Sequence, residues 1–202
     1  MTRFAVFASG QGTNLQAMID AVKAGEIKAE LGLVFSDKAN AFALKRAEEA
    51  GIKTLFLNPK DYASKQSFER EIVMQLKNEK IDFIVLAGYM RILTPFFIRT
   101  FPQKVLNVHP SLLPSFKGAE GIKDAFTYGA KVTGVTVHIV DEKLDHGPII
   151  MQESFKIAED ETLETLTEKI HKVEHRIYPK SVALFADGRL KIKGRRVHIL
   201  EK

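Results

Sequence analysis

Cysteine is absent from the 202-residue chain, which excludes disulfides, thiolate zinc sites and cysteine nucleophiles. The sequence also lacks any unbroken apolar run of the roughly 18 residues that a membrane helix requires. Its first ten residues, MTRFAVFASG, have the pattern of a buried strand and not that of a signal peptide. Together these absences predict a cytoplasmic protein that does not contact membranes, and the length fits a single domain.

Excess charge is confined to one end of the sequence. The net charge is +5, and residues 189–202 alone hold six Lys or Arg and one Glu, so residues 1–188 are balanced. A basic segment can bind nucleic acid, but no aromatic residue is interleaved with these charges for base stacking. We therefore predict one domain over residues 1–188, then a solvated, basic, hairpin-like segment over 189–202 that turns at Gly194. This prediction includes no nucleic-acid partner, and an RNA-binding module is the alternative.

Short apolar runs alternate with amphipathic stretches along the chain. The apolar runs predict strands at residues 4–8, 31–35, 52–57, 81–87 and 105–108, and helical spacing predicts helices at 14–23, 39–50 and 67–80. Two β-rich stretches, 132–140 and 148–158, predict further strands, and 162–186 predicts a long helix that Pro179 kinks or breaks. The alternation is typical of a three-layer, Rossmann-like α/β fold, with an open, mostly parallel sheet, helices on both faces and added C-terminal strands.

The first strand ends in SGQGTN, directly before a helix. Ligands of open α/β sheets bind at the carboxyl ends of the strands. Two glycines permit a tight turn there, and the N–H groups of the following helix suit a phosphate. The third glycine of a dinucleotide fingerprint falls on Leu15, which disfavours a nicotinamide-dependent oxidoreductase. A helix capped by Thr13 or Asn14 is the structural alternative.

Asn107 and His109 lie two residues apart at the end of the fifth strand, so their side chains project to the same side. An amide donor beside an imidazole can stabilise an oxyanion and move a proton. A carboxylate beside His109 would stabilise its protonated form and fix its tautomer, and Asp145 in the DEKLDHG turn is the candidate. The alternatives are a structural histidine and a solvated acidic turn.

The fourth strand ends in an apolar wall with one charge, formed by Met90, Arg91, Ile92 and Leu93. An arginine there can bind a carboxylate bidentately, so the segment suits a flat ring with an acidic tail. Core packing with a solvated arginine explains the same residues.

Residues 171–175 spell H-x-x-E-H, the motif of one group of zinc peptidases. His171 and His175 share one helical face, which permits zinc binding. Because nothing in the sequence singles out a third ligand, we predict no metal site and keep the zinc peptidase as an alternative.

Three segments, LAGYMRIL, LNVHPSLLP and GVTVHIVDEKLDHGPII, occur in the order found in the folate-dependent formyltransferases. The chain resembles that family over nearly its whole length, from Ser9 to Pro179. The resemblance implies the formyltransferase fold and a catalytic trio that matches Asn107, His109 and Asp145. It also implies 10-formyltetrahydrofolate as a co-substrate, with no tightly bound cofactor.

The SGQGTN loop and the length are similar to the branch of the family that acts in purine (IMP) biosynthesis. Family members that formylate initiator tRNA, or that hydrolyse formyltetrahydrofolate, would need an extra domain for which 202 residues leave no room. The resemblance thus implies direct attack of the amine of 5′-phosphoribosylglycinamide on the formyl carbon, through a tetrahedral intermediate. The expected partners are these small-molecule substrates, and the expected state is a monomer or weak homodimer.

The resemblance implies a nucleotide-phosphate half over about residues 1–100 and a folate and catalytic half over about 101–188. The ribonucleotide is expected at Gly12, Thr13, Asn14, His171, Lys172, Val173 and Glu174, with Glu174 near the attacking amine. The folate is expected at Lys65, Met90, Arg91, Ile92, Leu93, Asn107, Val140, Asp141, Glu142, Lys143, Leu144 and Asp145. The chain departs from the family pattern at Ser115–Gly121, which leaves the contacts of that loop open.

Overall fold

The apolar runs of the first half form five parallel strands in a computed structural model that describes residues 1–201. The strands are β1 (Arg3–Phe7), β2 (Glu30–Ser36), β3 (Thr54–Phe56), β4 (Phe83–Leu86), β5 (Val105–His109), β6 (Val132–Ile139), β7 (Ile149–Lys156), β8 (Leu190–Lys193) and β9 (Arg196–Ile199). The helices are α1 (Thr13–Lys23), α2 (Phe42–Glu49), α3 (Lys65–Asn78), α4 (Pro95–Thr100), α5 (Gly121–Tyr128) and α6 (Leu163–Ala186).

One sheet contains all nine strands, in the order β3-β2-β1-β4-β5-β6-β7-β9-β8. Strands β1 to β5 pair in parallel, and β6 and β7 extend the sheet as antiparallel neighbours. The predicted α/β class, with its added C-terminal strands, is confirmed. The strand order reverses between β1 and β4, and this switch point is where open α/β sheets bind ligands.

Both faces of the sheet are covered, as the continuous apolar strands require. Along β1, Phe4 and Val6 face the core shared with α1, α2 and α6, whereas Ala5 and Phe7 face a second core shared with α3 and α4. This alternation follows from the two-residue period of a strand. Helix α6 contributes the fully buried Tyr178 to the first core.

Of the kink or break predicted at Pro179, helix α6 shows no break, and the kink stays a prediction. A proline removes one helical hydrogen bond, whereas Ile177 and Val182 on either side of it are buried in the core. Packing of those side chains outweighs the lost bond, so the predicted break is wrong. Within residues 1–201, no helix is both long and apolar enough to cross a membrane.

The C-terminal hairpin consists of β8 and β9, which pair antiparallel around a turn at Gly194. The φ angle of Gly194 is 58°, a left-handed conformation that favours glycine. Strand β9 also pairs with β7 through Ile149 and Arg196, so the hairpin extends the sheet. Leu190 and Ile192 pack on the first core. The division at residue 188 stays a prediction.

Candidate active site

Asn107 and His109 lie at the carboxyl end of β5, where the antiparallel strand β6 faces them. In the register of the two strands, Asn107 is opposite His138 and His109 is opposite Thr136. Side chains two residues apart on paired strands share a face. One face of the sheet therefore carries an amide and two imidazoles at the edge where ligands bind.

The loop between β6 and β7, residues 140–148, brings Asp145 to this face. One carboxylate oxygen, Oδ2, lies 3.6 Å from His109 Nδ1, and the other, Oδ1, lies 3.9 Å from His138 Nε2. His109, His138 and Asp145 are 3%, 2% and 9% exposed. Low exposure strengthens the interaction of charged groups, because little water screens them. The structure thus brings the three predicted catalytic residues together.

The carbonyl of Phe116 determines the tautomer of His109. It lies 2.8 Å from His109 Nε2, and a carbonyl can only accept, so Nε2 carries a hydrogen. In the neutral ring the free lone pair is therefore on Nδ1, which is the nitrogen that faces Asp145. The backbone N–H of Gly118 donates to Asp145 Oδ2 at 2.8 Å. The segment whose contacts the sequence left open thus orients two members of the trio.

His138 is a site residue that the sequence analysis missed. Its Nδ1 lies 2.9 Å from the carbonyl of Ile139, which requires a hydrogen on that nitrogen. Its Nε2 is then an acceptor for the amide of Asn107, at 3.2 Å. Burial lowers the pKa of His138, although the Ile139 carbonyl and Asp145 act in the opposite direction. A neutral His138 thus occupies one amide hydrogen of Asn107 and leaves the second free for a substrate.

The first loop meets α6 through a buried hydrogen bond. Asn14 Nδ2 donates to Glu174 Oε2 at 2.8 Å, and Asn14 Oδ1 has no partner within the part of the chain that the structure describes. Burial raises the pKa of Glu174, although the bond from Asn14 and the nearby His171 act to lower it. Gly12, which precedes α1, has a φ of 70°, and a Cβ there would lie 2.8 Å from Ala43. The local backbone therefore requires glycine.

Other predicted ribonucleotide residues lie at different depths on α6. His171 and Lys172 are exposed, whereas the side chain of Val173 packs in the core. The rings of His171 and His175 stack at 6.3 Å, and Glu174 points to Asn14. Among residues 1–201, no group of three or more His, Asp or Glu is arranged to hold a metal ion.

Tyr178 links this region to the catalytic strands. It lies one helical turn after Glu174, and its buried hydroxyl contacts the carbonyls of Leu86, at 2.9 Å, and Leu106, at 3.0 Å. Leu86 ends β4, and Leu106 directly precedes Asn107. Tyr178 therefore connects α6, the helix of Glu174, to the backbone of β4 and β5.

Apart from Asn107, the predicted folate residues come from the start of α3, the segment after β4 and the loop between β6 and β7. The guanidinium of Arg91 lies 5.5 Å from the ring of Phe68, which is a cation–π geometry. The exposed Lys65 lies one helical turn before Phe68 on α3. Met90 and Ile92 are exposed, whereas Leu93 is buried. In the facing loop, Val140 packs on the second core, and the remaining predicted residues, Asp141, Glu142, Lys143 and Leu144, lead to Asp145.

Two further polar residues hold this strand end in place. Ser9 Oγ donates to Asp37 Oδ1 at 2.6 Å and accepts from the N–H of Met90 at 3.0 Å. The end of β1, the end of β2 and the segment after β4 are joined by these bonds. Asp37 therefore has a structural partner in Ser9.

A cavity of about 660 Å³ lies beside the first loop, between α1 and α6. Its lining includes Thr13, Arg46 and His175, and none of the catalytic trio. Arg46 donates to the carbonyl of Gln11 at 2.9 Å. The cavity borders the predicted phosphate loop, whereas the predicted catalytic trio is at the end of β5.

Replacing Glu174 with glutamine is expected to stabilise the protein and to weaken ribonucleotide use. Burial raises the pKa of Glu174 in the folded protein. The wild type is therefore most stable, as far as this group is concerned, below the ordinary pKa of glutamate, where the side chain is neutral. That contribution to the free energy of unfolding is lost as the pH rises through the raised pKa. Glu174→Gln should therefore have a higher Tm than the wild type at pH 8, and the difference should shrink towards pH 4. Thermal unfolding at both pH values measures this.

The matched control is Glu168→Gln, at an exposed position of the same helix, which should leave the Tm unchanged at both pH values. An equal Tm difference at pH 4 and pH 8 for Glu174→Gln would contradict the account.

Comparison with known proteins defines the class to which this fold and site belong. Residues 2–182 match the formyl transferase family, so the chain belongs to that family. The chain is 43% identical to the phosphoribosylglycinamide formyltransferase of Bacillus subtilis over 182 residues, which are 90% of this chain and 93% of that protein. The crystal structure of glycinamide ribonucleotide transformylase 1 from Symbiobacterium toebii matches with a TM-score of 0.97 at 44% identity, and the match covers 100% of this chain and 95% of that one.

A longer protein contains a similar segment. The trifunctional purine biosynthetic protein adenosine-3 of Chironomus tentans is 44% identical over 192 residues, which are 94% of this chain and 14% of that protein. The resemblance to the folate-dependent formyltransferases is confirmed by these matches.

Proposed function

We propose that this chain transfers the formyl group of 10-formyltetrahydrofolate to the amine of 5′-phosphoribosylglycinamide. The products are formylglycinamide ribonucleotide and tetrahydrofolate. The names of the relatives confirm the predicted class of reaction, formyl transfer in purine biosynthesis. The family implies a folate-type co-substrate, and 10-formyltetrahydrofolate is our specific proposal.

The observation that carries the proposal is the meeting of Asn107, His109 and Asp145 on one face of the sheet, at the carboxyl ends of the strands.

The amine lone pair attacks the formyl carbon, and the carbonyl electrons move onto oxygen. The free amide hydrogen of Asn107 and the protonated Nδ1 of His109 donate to that oxyanion. Donors aimed at developing charge are among the largest contributions to catalysis.

Asp145 supports the positive charge of His109. In the protonated ring, Nε2–H still donates to Phe116, and Nδ1–H faces the carboxylate at 3.6 Å. This separation exceeds a direct hydrogen bond, so a substrate oxygen or a water that bonds to both groups must bridge them from one side. The collapse of the intermediate breaks the bond between the formyl carbon and N10 of the folate. The proton lost by the amine passes to N10 through His109 or through a water held by Asp145.

The substrate-binding residues of the proposal flank the trio. Gly12, Thr13 and Asn14 bind the phosphate end of the ribonucleotide, and Glu174 accepts a hydrogen bond from its amine, with His171 and Lys172 at the entrance. Met90 to Leu93 and the loop from Val140 to Asp145 enclose the pteridine, and Lys65 and Arg91 meet its acidic tail. A cytoplasmic location and a monomer or weak homodimer stay predictions.

An assay with two acceptors tests the proposal. The purified protein is given 10-formyltetrahydrofolate with and without 5′-phosphoribosylglycinamide, and tetrahydrofolate and the formylated ribonucleotide are measured together. We expect equal amounts of both products, and turnover that depends on the ribonucleotide. Formation of tetrahydrofolate at the same rate without the ribonucleotide would show that the protein is a hydrolase and would overturn the proposal.

A further inference from the structure

The basic C-terminal hairpin contacts the loop that carries Asp145. Arg195, at the turn between β8 and β9, donates from Nη2 to the carbonyl of His146 at 2.7 Å. Its Nη1 lies 3.0 Å from Nε2 of the same residue. One guanidinium thus binds both the backbone and the ring of the residue that follows Asp145.

The contacts continue from Arg195 into the loop. Arg195 Nη1 lies close to both ring nitrogens of His146, 3.0 Å from Nε2 and 3.3 Å from Nδ1. Because a carboxylate can only accept, His146 Nδ1 carries the hydrogen that goes to Asp141 Oδ2 at 2.7 Å. The other oxygen of Asp141 accepts from the N–H of Lys143 at 2.9 Å. Although partial burial raises it, the pKa of Asp141 is held below its ordinary value by the bonds from His146 and Lys143. The charged form that this chain of bonds needs is therefore favoured.

Besides Arg195, the loop is held by the N–H of Gly118, which donates to Asp145 Oδ2 at 2.8 Å. Asp145 has a φ of 46°, a left-handed conformation that costs energy in a residue with a Cβ. Glu142 pairs with Arg99 at 3.1 Å, but both side chains are largely exposed, and such pairs contribute little. A strained residue keeps its conformation only when its surroundings hold it. Arg195 supplies such a contact at the neighbouring residue.

We propose that Arg195 is a positioning residue for formyl transfer, which holds residues 141–146 so that Asp145 stays beside His109. The inference rests on the proposed function and deepens it. It also assigns a partner to the basic segment, namely the chain's own catalytic loop.

Two substitutions at Arg195 test this inference. Arg195→Ala removes both contacts, and we expect kcat for formyl transfer to fall about tenfold, with the KM for the ribonucleotide within about twofold of wild type, because misplacing a catalytic group lowers turnover. Arg195→Lys keeps the charge but cannot donate to the carbonyl and the ring together, so kcat should also fall. Arg196→Ala is the matched control, since that neighbour begins β9 and is exposed, and it should keep wild-type kcat.

Amide hydrogen exchange over residues 140–148 provides a readout that is independent of activity. We expect faster exchange there in Arg195→Ala, and not in Arg196→Ala. Unchanged kcat and unchanged exchange in Arg195→Ala would overturn the inference, as would an equal loss of kcat in Arg196→Ala. Failure of the proposed function is distinguishable, because the wild type would then transfer no formyl group while the exchange measurement still decides whether Arg195 holds the loop.

Discussion

Asp145→Asn is expected to lower kcat about 100-fold or more, while binding of a folate analogue persists. The substitution keeps the size of the side chain and an oxygen for the N–H of Gly118, but it removes the charge that faces His109 at 3.6 Å. The protonated imidazole then loses its support at the stage where the oxyanion forms. Steady-state kinetics at saturating substrates, with a binding titration of the analogue, measures the effect.

The control for this experiment is Asp160→Asn, which removes one exposed carboxylate in the segment after β7. Its kcat should equal that of the wild type. Near-normal turnover in a folded preparation of Asp145→Asn would reject the role of Asp145. The same substitution should leave the thermal unfolding transition cooperative.

Gly147→Ala is expected to abolish most activity because the backbone has no room for a side chain there. A Cβ at Gly147 would lie 1.8 Å from the carbonyl oxygen of Ile139 and 3.3 Å from the N–H nitrogen of Asp141. Relief of that overlap must move the loop, at a cost of about 1–3 kcal/mol in the free energy of unfolding. Because Asp145 lies two residues away, we expect kcat to fall about 100-fold.

A second glycine separates the loss of stability from the loss of geometry. Gly25 has a φ of 74° and open space around it, so Gly25→Ala should cost about 1–2 kcal/mol through backbone strain alone. Its kcat, measured below its Tm, should match the wild type. If Gly147→Ala kept full activity, the catalytic position of Asp145 would not depend on the close packing of Gly147 against Ile139.

Much of the fold is predictable from local pattern, and the exceptions have physical causes. Buried strands such as β1 and β4 are continuous apolar runs, which the two-sided burial of a parallel sheet requires. Helix α4 was missed because it has only six residues, although Thr94 before Pro95 is a start signal that could have found it. A break at Pro179 does not occur, because the packing of the neighbouring side chains outweighs the loss of one helical hydrogen bond at the proline.

The site divides along the same line. The period of a strand places Asn107 and His109 together. The turn sequence offers Asp145 only as a candidate carboxylate, and the family resemblance implies the trio, because loop contacts between distant residues leave no local pattern. His138 lies within the quoted GVTVHIV segment, but its role depends on the β5–β6 register, which pairs it with Asn107. Thr136 and His138 are spaced two residues apart, as Asn107 and His109 are. That matching spacing on two neighbouring strands is the signal that could have identified His138. The contact of Arg195 likewise depends on the pairing of β9 with β7.

A crystal structure with an analogue of the tetrahedral intermediate tests the central claim most directly. The analogue is a folate that carries a tetrahedral carbon with two hydroxyl groups in place of the formyl group. We predict that one of its oxygens lies within about 3 Å of both Asn107 Nδ2 and His109 Nδ1, with Asp145 beside the second oxygen. An analogue bound with its oxygens away from both nitrogens would contradict the account.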